Sequence, residues 1–214
     1  MASILIAGAR ESDKDTVVEL VRKIKTLPDF EFVDFDEVVS SDKKLLGELA
    51  AVGAFESLTK LKSWGLEPGQ KTYGNVSSMV SRFYTLLEAR LKEAQAASKN
   101  VLVSGYFSFT TQYGHVPLLS KDFLEYFRPD AVIVVESDAA GRFRILDQEH
   151  EVFLHDDRKI GEFKELVLQQ SVARAYASAF AVMQGGLLKI ITVRKGNVKQ
   201  ALKEAVETLT FVFK

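Results

Sequence analysis

The sequence contains no cysteine, which excludes disulfide bonds, thiolate metal sites and cysteine nucleophiles. It also lacks an excess of basic charge, since 28 Lys and Arg residues stand against 29 Asp and Glu residues. Nucleic-acid-binding proteins usually carry a basic excess or a basic stripe, so we expect no nucleic-acid partner. The first residues form no basic leader, and no apolar run is long enough to cross a bilayer. These absences favour a cytoplasmic protein without membrane attachment.

Short apolar runs alternate with longer amphipathic stretches along the chain. The apolar runs predict five strands, at residues 3–8, 30–35, 100–104, 131–136 and 187–193. Helical spacing of apolar residues predicts helices at residues 12–26, 36–64 with an interruption near Gly53, 76–97 and 198–209. Strands that are apolar throughout and followed by helices are typical of a parallel sheet buried on both faces. We therefore expect residues 1–214 to form a single α/β domain, with three layers doubly wound around a five-stranded, mainly parallel sheet.

The loop after the first predicted strand partly matches the phosphate-binding pattern G-x-x-x-x-G-K-[ST]. In a working loop of this kind, backbone N–H groups close around phosphates, the lysine reaches the terminal phosphates and the hydroxyl holds magnesium. Counting from Gly8 places Lys14 at the lysine position. Asp13 replaces the second glycine, and Asp15 replaces the Ser or Thr. The loop is therefore a degenerate version of the pattern.

Two interpretations of this loop remain open. In the structural interpretation, Ser12 or Asp13 caps the following helix and Lys14 is a solvated lysine. In the functional interpretation a nucleotide binds through the loop, and the candidate residues are Gly8, Arg10, Ser12, Lys14 and Thr16. The carboxylates of the loop oppose phosphate binding, because like charges about 4 Å apart repel by about 1 kcal/mol even in water.

Three segments outside the loop share a likeness to one family. They are LEYFRPDAVIVVESD (Leu124–Asp138), TTQYGHVPLL (Thr110–Leu119) and SVARAYASAFAVMQGGLLKIITV (Ser171–Val193). Together they resemble the archaeal adenylate kinases, a trimer-forming branch of the P-loop nucleoside-monophosphate kinases. The resemblance implies a P-loop NTPase fold, binding of ATP, ADP or AMP with magnesium, and the conversion of ATP and AMP to two ADP. It also implies a homo-oligomer, with a trimer expected before a dimer.

Several positions depart from the catalytic pattern of that family. The family's third strand ends in Asp-Thr-His, where this chain has Ser104–Tyr106 (SGY). The family's lid carries several arginines, whereas the lid segment at residues 147–160 contains the single arginine Arg158 among acids. Arg142 is a further cation on the lid side. Residues 41–75 replace the segment that grips the monophosphate in the family.

These departures bear on activity, because phosphoryl transfer depends on positioned cations that stabilise spread negative charge. We therefore expect an adenylate-kinase-like protein with a degenerate phosphate loop, acting as a catalytically impaired nucleotide-binding or regulatory module. The alternative is an active adenylate or nucleoside-monophosphate kinase with an atypical loop.

Three further groups of residues are candidates for a site or an interface. Tyr106–Phe109, with Tyr113, either stacks on an adenine, fills space by packing, or packs against a neighbouring subunit. The Ala-rich helix Val172–Val182 predicts close helix packing, within the chain or between subunits. His150 and His155 lie among acidic residues, but their five-residue spacing does not place them on one helix face. We therefore predict no metal site.

Overall fold

A five-stranded parallel sheet forms the centre of the protein. This is seen in a computed structural model, which describes residues 2–9, 12–51, 76–97, 100–111, 114–118, 123, 126–138, 157–194 and 197–214. Its strands are β1 (Ser3–Gly8), β2 (Phe30–Asp34), β3 (Asn100–Gly105), β4 (Ser108–Thr111), β5 (Gly114–Pro117), β6 (Ala131–Ser137) and β7 (Leu187–Val193). The sheet has the order β2-β3-β1-β6-β7, and every neighbouring pair is parallel. β4 and β5 form a separate antiparallel hairpin.

Helices cover both faces of the sheet. The described helices are α1 (Lys14–Arg22), α2 (Phe35–Ser40), α3 (Lys43–Ala51), α4 (Val76–Ala96), α5 (Asp157–Gln184) and α6 (Val198–Val212). Side chains of a strand alternate between its two faces. Ile4 and Ile6 of β1 therefore join the core formed with α1 and α6, whereas Leu5 and Ala7 join the core formed with the other helices. This arrangement confirms the predicted three-layer α/β fold, and none of the described helices is long and apolar enough to span a membrane.

The structure confirms the five predicted strands of the sheet, each to within one residue at its ends. The first predicted helix is shorter than expected, since α1 spans Lys14–Arg22 rather than residues 12–26. The β4–β5 hairpin was not predicted from the sequence. Its strands are four residues long and pair only with each other, so they give little periodic signal.

The interruption predicted near Gly53 lies outside the described residues, but a break that was not predicted occurs earlier. α2 and α3 are separated at residues 41–42. The cause is local, because Asp42 Oδ1 accepts hydrogen bonds from two backbone N–H groups in the first turn of α3, at 2.8 and 3.0 Å. The helical stretch predicted from residue 36 is therefore already divided into two helices before residue 51, and its remainder lies outside the described residues.

The Ala-rich stretch of α5 packs inside the chain. Ala173, Ala177 and Ala181 recur at four-residue spacing, and all three are buried. Their small side chains face the sheet, where α5 contacts β6 and β7. α5 stops directly before Gly185, whose φ of 67° is readily adopted only by glycine. Packing within the chain therefore accounts for these three alanines.

Candidate functional site

Buried polar side chains gather at the edge of the sheet where its parallel strands end. Six polar or charged side chains are buried among the described residues, and one of them, Gln170, lies on α5. The other five lie at this edge and are Ser12, Lys14, Ser104, Glu136 and Ser137. Burying polar groups costs free energy unless they are paired, and doubly wound folds bind ligands at this edge. The polar cluster therefore marks the candidate site.

Lys14 is the first residue of α1 and lies within this cluster, with 2% of its surface exposed. Its Nζ donates a hydrogen bond to Ser104 Oγ at 3.1 Å and forms an ion pair with Asp15 Oδ1 at 2.8 Å. The ring of Tyr106 lies beside the ammonium group, with its centroid 5.6 Å from Nζ. The ammonium of Lys14 is therefore held by a hydroxyl, a carboxylate and an aromatic ring.

The structural interpretation of the loop is wrong in two respects. Lys14 is not a solvated lysine, because its side chain is only 3% exposed. Asp13 occupies the N-cap position of α1, but its side chain makes no capping hydrogen bond. Asp13 Oδ2 instead accepts a hydrogen bond from Ser137 Oγ at 3.2 Å. This contact ties the start of α1 to the end of β6.

Gly8 allows the loop to fold back closely on the end of β1. A Cβ atom at Gly8 would lie 2.4 Å from the Val135 carbonyl oxygen and 2.6 Å from Ser12 Oγ, closer than such atoms approach. The buried Oγ of Ser12 has no hydrogen-bond partner among the described residues. Gly8 and Ser12 therefore meet directly before the N-terminus of α1, where free backbone N–H groups favour an anion.

Two further carboxylates, Asp34 and Asp36, lie where β2 runs into α2. Asp34 Oδ1 accepts the backbone N–H of Asp36 at 2.8 Å and caps α2. The Tyr106 hydroxyl donates to Asp36 Oδ1 at 2.6 Å, and strand register places Asp34 beside Ser104. Burial raises the pKa of Asp34 above its ordinary value, although the hydrogen bond from Asp36 and the positive charge of Lys14 oppose the shift.

An ion pair closes the site on the side of α5. Arg174 donates from Nε to Glu136 Oε1 at 3.0 Å and from Nη2 to Oε2. The Glu136 side chain is 4% exposed, whereas that of Arg174 is 56% exposed. The carboxylate raises the pKa of the Arg174 guanidinium. A two-point contact of this kind fixes orientation as well as distance, so it anchors α5 to the end of β6.

Two residues of the predicted aromatic segment, Tyr106 and Phe107, pack within the chain, whereas Tyr113 lies outside the described residues. Phe107 is 1% exposed and contacts Phe180 of α5, with ring centroids 6.3 Å apart. Tyr106 lies edge-on to Phe35 at 5.7 Å and beside Lys14. These contacts support packing over adenine stacking for Tyr106 and Phe107.

The structure brings some of the predicted site residues together. Gly8, Ser12 and Lys14 lie at the end of β1, and Thr16 is exposed in the first turn of α1. Arg10, Arg142 and residues 147–156 with His150 and His155 lie outside the described residues, and Arg158 is described only as a helical position in α5. No group of three His, Cys, Asp or Glu side chains that could hold a metal occurs in the described part of the chain.

Sequence reasoning missed three contributors to the site, namely Asp34, Glu136 and Arg174. A signal was available for the two carboxylates, because each lies within one residue of the carboxyl end of its strand and so at the ligand-binding edge of a parallel sheet. No comparable signal marked Arg174. It lies 38 residues from its partner on a helix whose sequence shows no site pattern.

Comparison with known proteins finds archaeal adenylate kinases. The adenylate kinase of Methanothermobacter thermautotrophicus is 29% identical over 117 residues, which cover 54% of this chain and only 60% of that protein. The adenylate kinase of Thermococcus kodakarensis is 24% identical over 98% of this chain and 93% of that protein. A shikimate kinase structure from Aquifex aeolicus aligns over 97% of this chain and 95% of that chain, at 18% identity and a TM-score of 0.43, which is too low to support an argument. No protein-family model matches the chain.

These relatives confirm the resemblance that the sequence segments indicated. The fold agrees with it, since all five strands of the main sheet are parallel and helices cover both faces. The chain is therefore similar in sequence to the archaeal adenylate kinases, at 24–29% identity.

Proposed function

We propose that this protein binds an adenine nucleotide at the carboxyl edge of its sheet and is impaired as a phosphotransferase. The proposal rests on the burial and the ion pairing of Lys14. The lysine of the phosphate-loop pattern is buried in the candidate site, yet it is paired with Asp15 at 2.8 Å. The site therefore keeps a cation that could bind a phosphate group, but this cation already forms an ion pair with a carboxylate of the chain.

The loop between β1 and α1 supplies the proposed phosphate site. Gly8 permits the close turn, Lys14 supplies a charge, and the N-terminus of α1 adds a partial positive charge. The residues proposed to contact phosphate are Gly8, Arg10, Ser12, Lys14 and Thr16, with Arg142 and Arg158 on the lid side. The relatives of the chain are adenylate kinases, which favours ATP, ADP or AMP as the ligand.

The charges of the site argue against efficient phosphoryl transfer. Catalysis of this reaction rests on cations placed around the transferred group. Here Asp15 stands where the motif has a hydroxyl, and Asp34 and Asp36 add carboxylates close by. Magnesium would accompany the nucleotide in a working site, held by phosphate oxygens and one or two protein oxygens, and the position of the motif hydroxyl that would contact it is Asp15 in this chain.

Ligand-induced thermal stabilisation tests the binding part of the proposal. We expect ATP, ADP or AMP, tested with and without magnesium, to raise the melting temperature of the protein. A ligand at about 100 times its dissociation constant stabilises by about 2.7 kcal/mol. The Lys14→Met variant should lose this ligand-induced shift, and the matched variant Lys23→Met, which alters an exposed lysine just after α1, should keep it. Absence of any shift in the wild-type protein at millimolar nucleotide would reject the nucleotide site.

A coupled assay with ATP and AMP tests the impairment. We expect turnover far below the enzyme median of about 10 per second. The Lys14→Met variant identifies any contaminating adenylate kinase, because contaminant activity would not respond to that substitution. Turnover near the median that disappears in Lys14→Met would establish the active-kinase alternative instead.

We also propose that the chain forms a homo-oligomer, a trimer before a dimer. Large apolar side chains are exposed at Val182, Met183 and Phe211, with 82, 58 and 73% of their surfaces accessible. Apolar and aromatic side chains are typical of subunit interfaces. Phe213, by contrast, is only 7% exposed and stacks on Phe30, so it serves the chain's own core. Light scattering at micromolar concentration tests the proposal, and a mass of one chain, 23.9 kDa, would contradict it.

A further inference from the structure

We propose that Asp15 is an internal competitor for the phosphate group of the ligand and must leave Lys14 before that group can bind. This inference rests on the proposed nucleotide site and concerns its regulation. The contact in question is the ion pair of Lys14 Nζ with Asp15 Oδ1 at 2.8 Å. It involves the residue that replaces the hydroxyl of the phosphate-loop pattern.

The burial of Lys14 leaves its ammonium almost no access to solvent, since the side chain is 3% exposed. Of the three N–H donors of an ammonium group, one points to Ser104 Oγ and another pairs with Asp15 Oδ1, while the Tyr106 ring lies alongside with its centroid 5.6 Å from Nζ. A phosphate oxygen therefore reaches Nζ by displacing one of these three neighbours.

Two of the three neighbours are held in place by other contacts. Ser104 is fully buried within β3, whose register with β1 and β2 fixes its position. Tyr106 donates its hydroxyl to Asp36 at 2.6 Å and packs edge-on against Phe35. Displacing either residue would disturb the sheet or the aromatic core.

Asp15 is the neighbour that can leave. Its side chain is 52% exposed in the first turn of α1, so rotation into solvent restores its hydration and exchanges its contact with Lys14 for water. A phosphate brings more negative charge than a carboxylate to the same helix N-terminus. The exchange of Asp15 for phosphate at Lys14 thus requires only a side-chain rotation.

The geometry also predicts the size of the effect. Neutralising Asp15 removes the competing partner of Lys14. Since two unit charges about 4 Å apart interact by about 1 kcal/mol even in water, and about 1.4 kcal/mol corresponds to tenfold in affinity, we expect binding to tighten by about 5-fold.

Isothermal titration of pyrophosphate and of ADP tests this inference. Pyrophosphate reports on the phosphate site without any contribution from a base. The variant Asp15→Asn should bind both probes about 5-fold more tightly than the wild-type protein, and Asp15→Ser should also bind them more tightly. The matched control is Glu19→Gln, which removes the same charge from an exposed position of α1 that does not contact Lys14. Its affinity should stay close to that of the wild-type protein.

A double-mutant cycle separates competition for Lys14 from a general charge effect. In the Lys14→Met background, the gain from Asp15→Asn should largely disappear, because no ammonium is left to compete for. An undiminished gain in that background would overturn the inference, and so would equal or weaker binding by Asp15→Asn when the wild-type protein binds. Those results would leave the nucleotide site standing. If neither the wild-type protein nor Asp15→Asn binds either probe at millimolar concentration, both the site and the inference fail.

Discussion

Arg174 donates two hydrogen bonds to Glu136, and the two partners differ sharply in exposure. The Glu136 side chain is 4% exposed at the end of β6, whereas that of Arg174 is 56% exposed on α5. Removing one partner of a buried ion pair leaves an uncompensated buried charge, which costs more than the loss of a surface pair. The burial of Glu136 thus makes the contact important for stability.

We therefore predict that Arg174→Ala lowers the free energy of unfolding by about 1–3 kcal/mol, less than for a fully buried pair because half of Arg174 is in contact with water. Arg174→Lys should recover only part of the loss, since lysine cannot make the two-point contact. Urea denaturation provides the measurement. The matched control is Arg90→Ala in α4, because the Arg90 side chain is also 56% exposed but its partner Glu93 is 65% exposed. Equal losses in the two alanine variants would contradict the prediction.

Gly105 lies against the ring of Phe35 beside the candidate site. A Cβ atom at Gly105 would lie 2.6 Å from two ring carbons of Phe35. That ring is 2% exposed and packs against Phe83 and Tyr106, at centroid distances of 5.1 and 5.7 Å. The ring cannot move aside without disturbing its neighbours.

We predict that Gly105→Ala destabilises the protein by about 1–3 kcal/mol through overpacking. The control is Gly47→Ala in α3, where an added Cβ would meet nothing within 4 Å. That substitution should stabilise α3 by up to about 1 kcal/mol, because alanine favours a helix interior. Thermal or urea unfolding of both variants checks the pair, and a stable Gly105→Ala variant would show that the close approach to Phe35 is not rigid.

The raised pKa of Asp34 predicts that part of the protein's stability depends on pH. Burial raises its pKa in the folded state, so folding favours its protonated form. Its contribution to stability is therefore fully present below the unfolded pKa and is lost as the pH rises through the raised folded value. Asp34→Asn keeps an oxygen to accept the Asp36 N–H but cannot titrate. We expect the stability of the wild-type protein relative to Asp34→Asn to fall as the pH is raised above about 4, measured as unfolding free energies in urea.

For Asp42 we expect the opposite pH dependence of stability. Arg82 Nε donates to Asp42 Oδ2 at 2.7 Å, and this hydrogen bond lowers the pKa of Asp42. Its contribution to stability is present above the unfolded pKa and is lost as the pH falls through the lowered folded value. Asp42→Asn should therefore be less stable than the wild-type protein near neutral pH, and the difference in urea unfolding free energy should shrink in acid. A difference that is independent of pH would contradict this prediction.

The sequence by itself determined most of the fold. Strands such as Ala131–Ser137 are apolar through most of their length, so they were predictable as buried parallel strands. The hairpin of β4 and β5 and the break at Asp42 were not predicted. Both depend on short-range hydrogen bonds over a few residues, which leave too little periodicity to read.

The sequence also placed Lys14 and Gly8 at a loop that resembles a phosphate site, since motif spacing is a local property. Only the tertiary structure decided the surroundings of that loop. Strand register brings Ser104, which is 90 residues away in sequence, to Lys14, so that Ser104 Oγ lies 3.1 Å from Lys14 Nζ. Packing of α5 on β6 brings Arg174 to Glu136. The burial of Lys14 follows from the closure of this edge of the sheet. Such contacts depend on how distant segments meet in space, and no pattern along the chain records them.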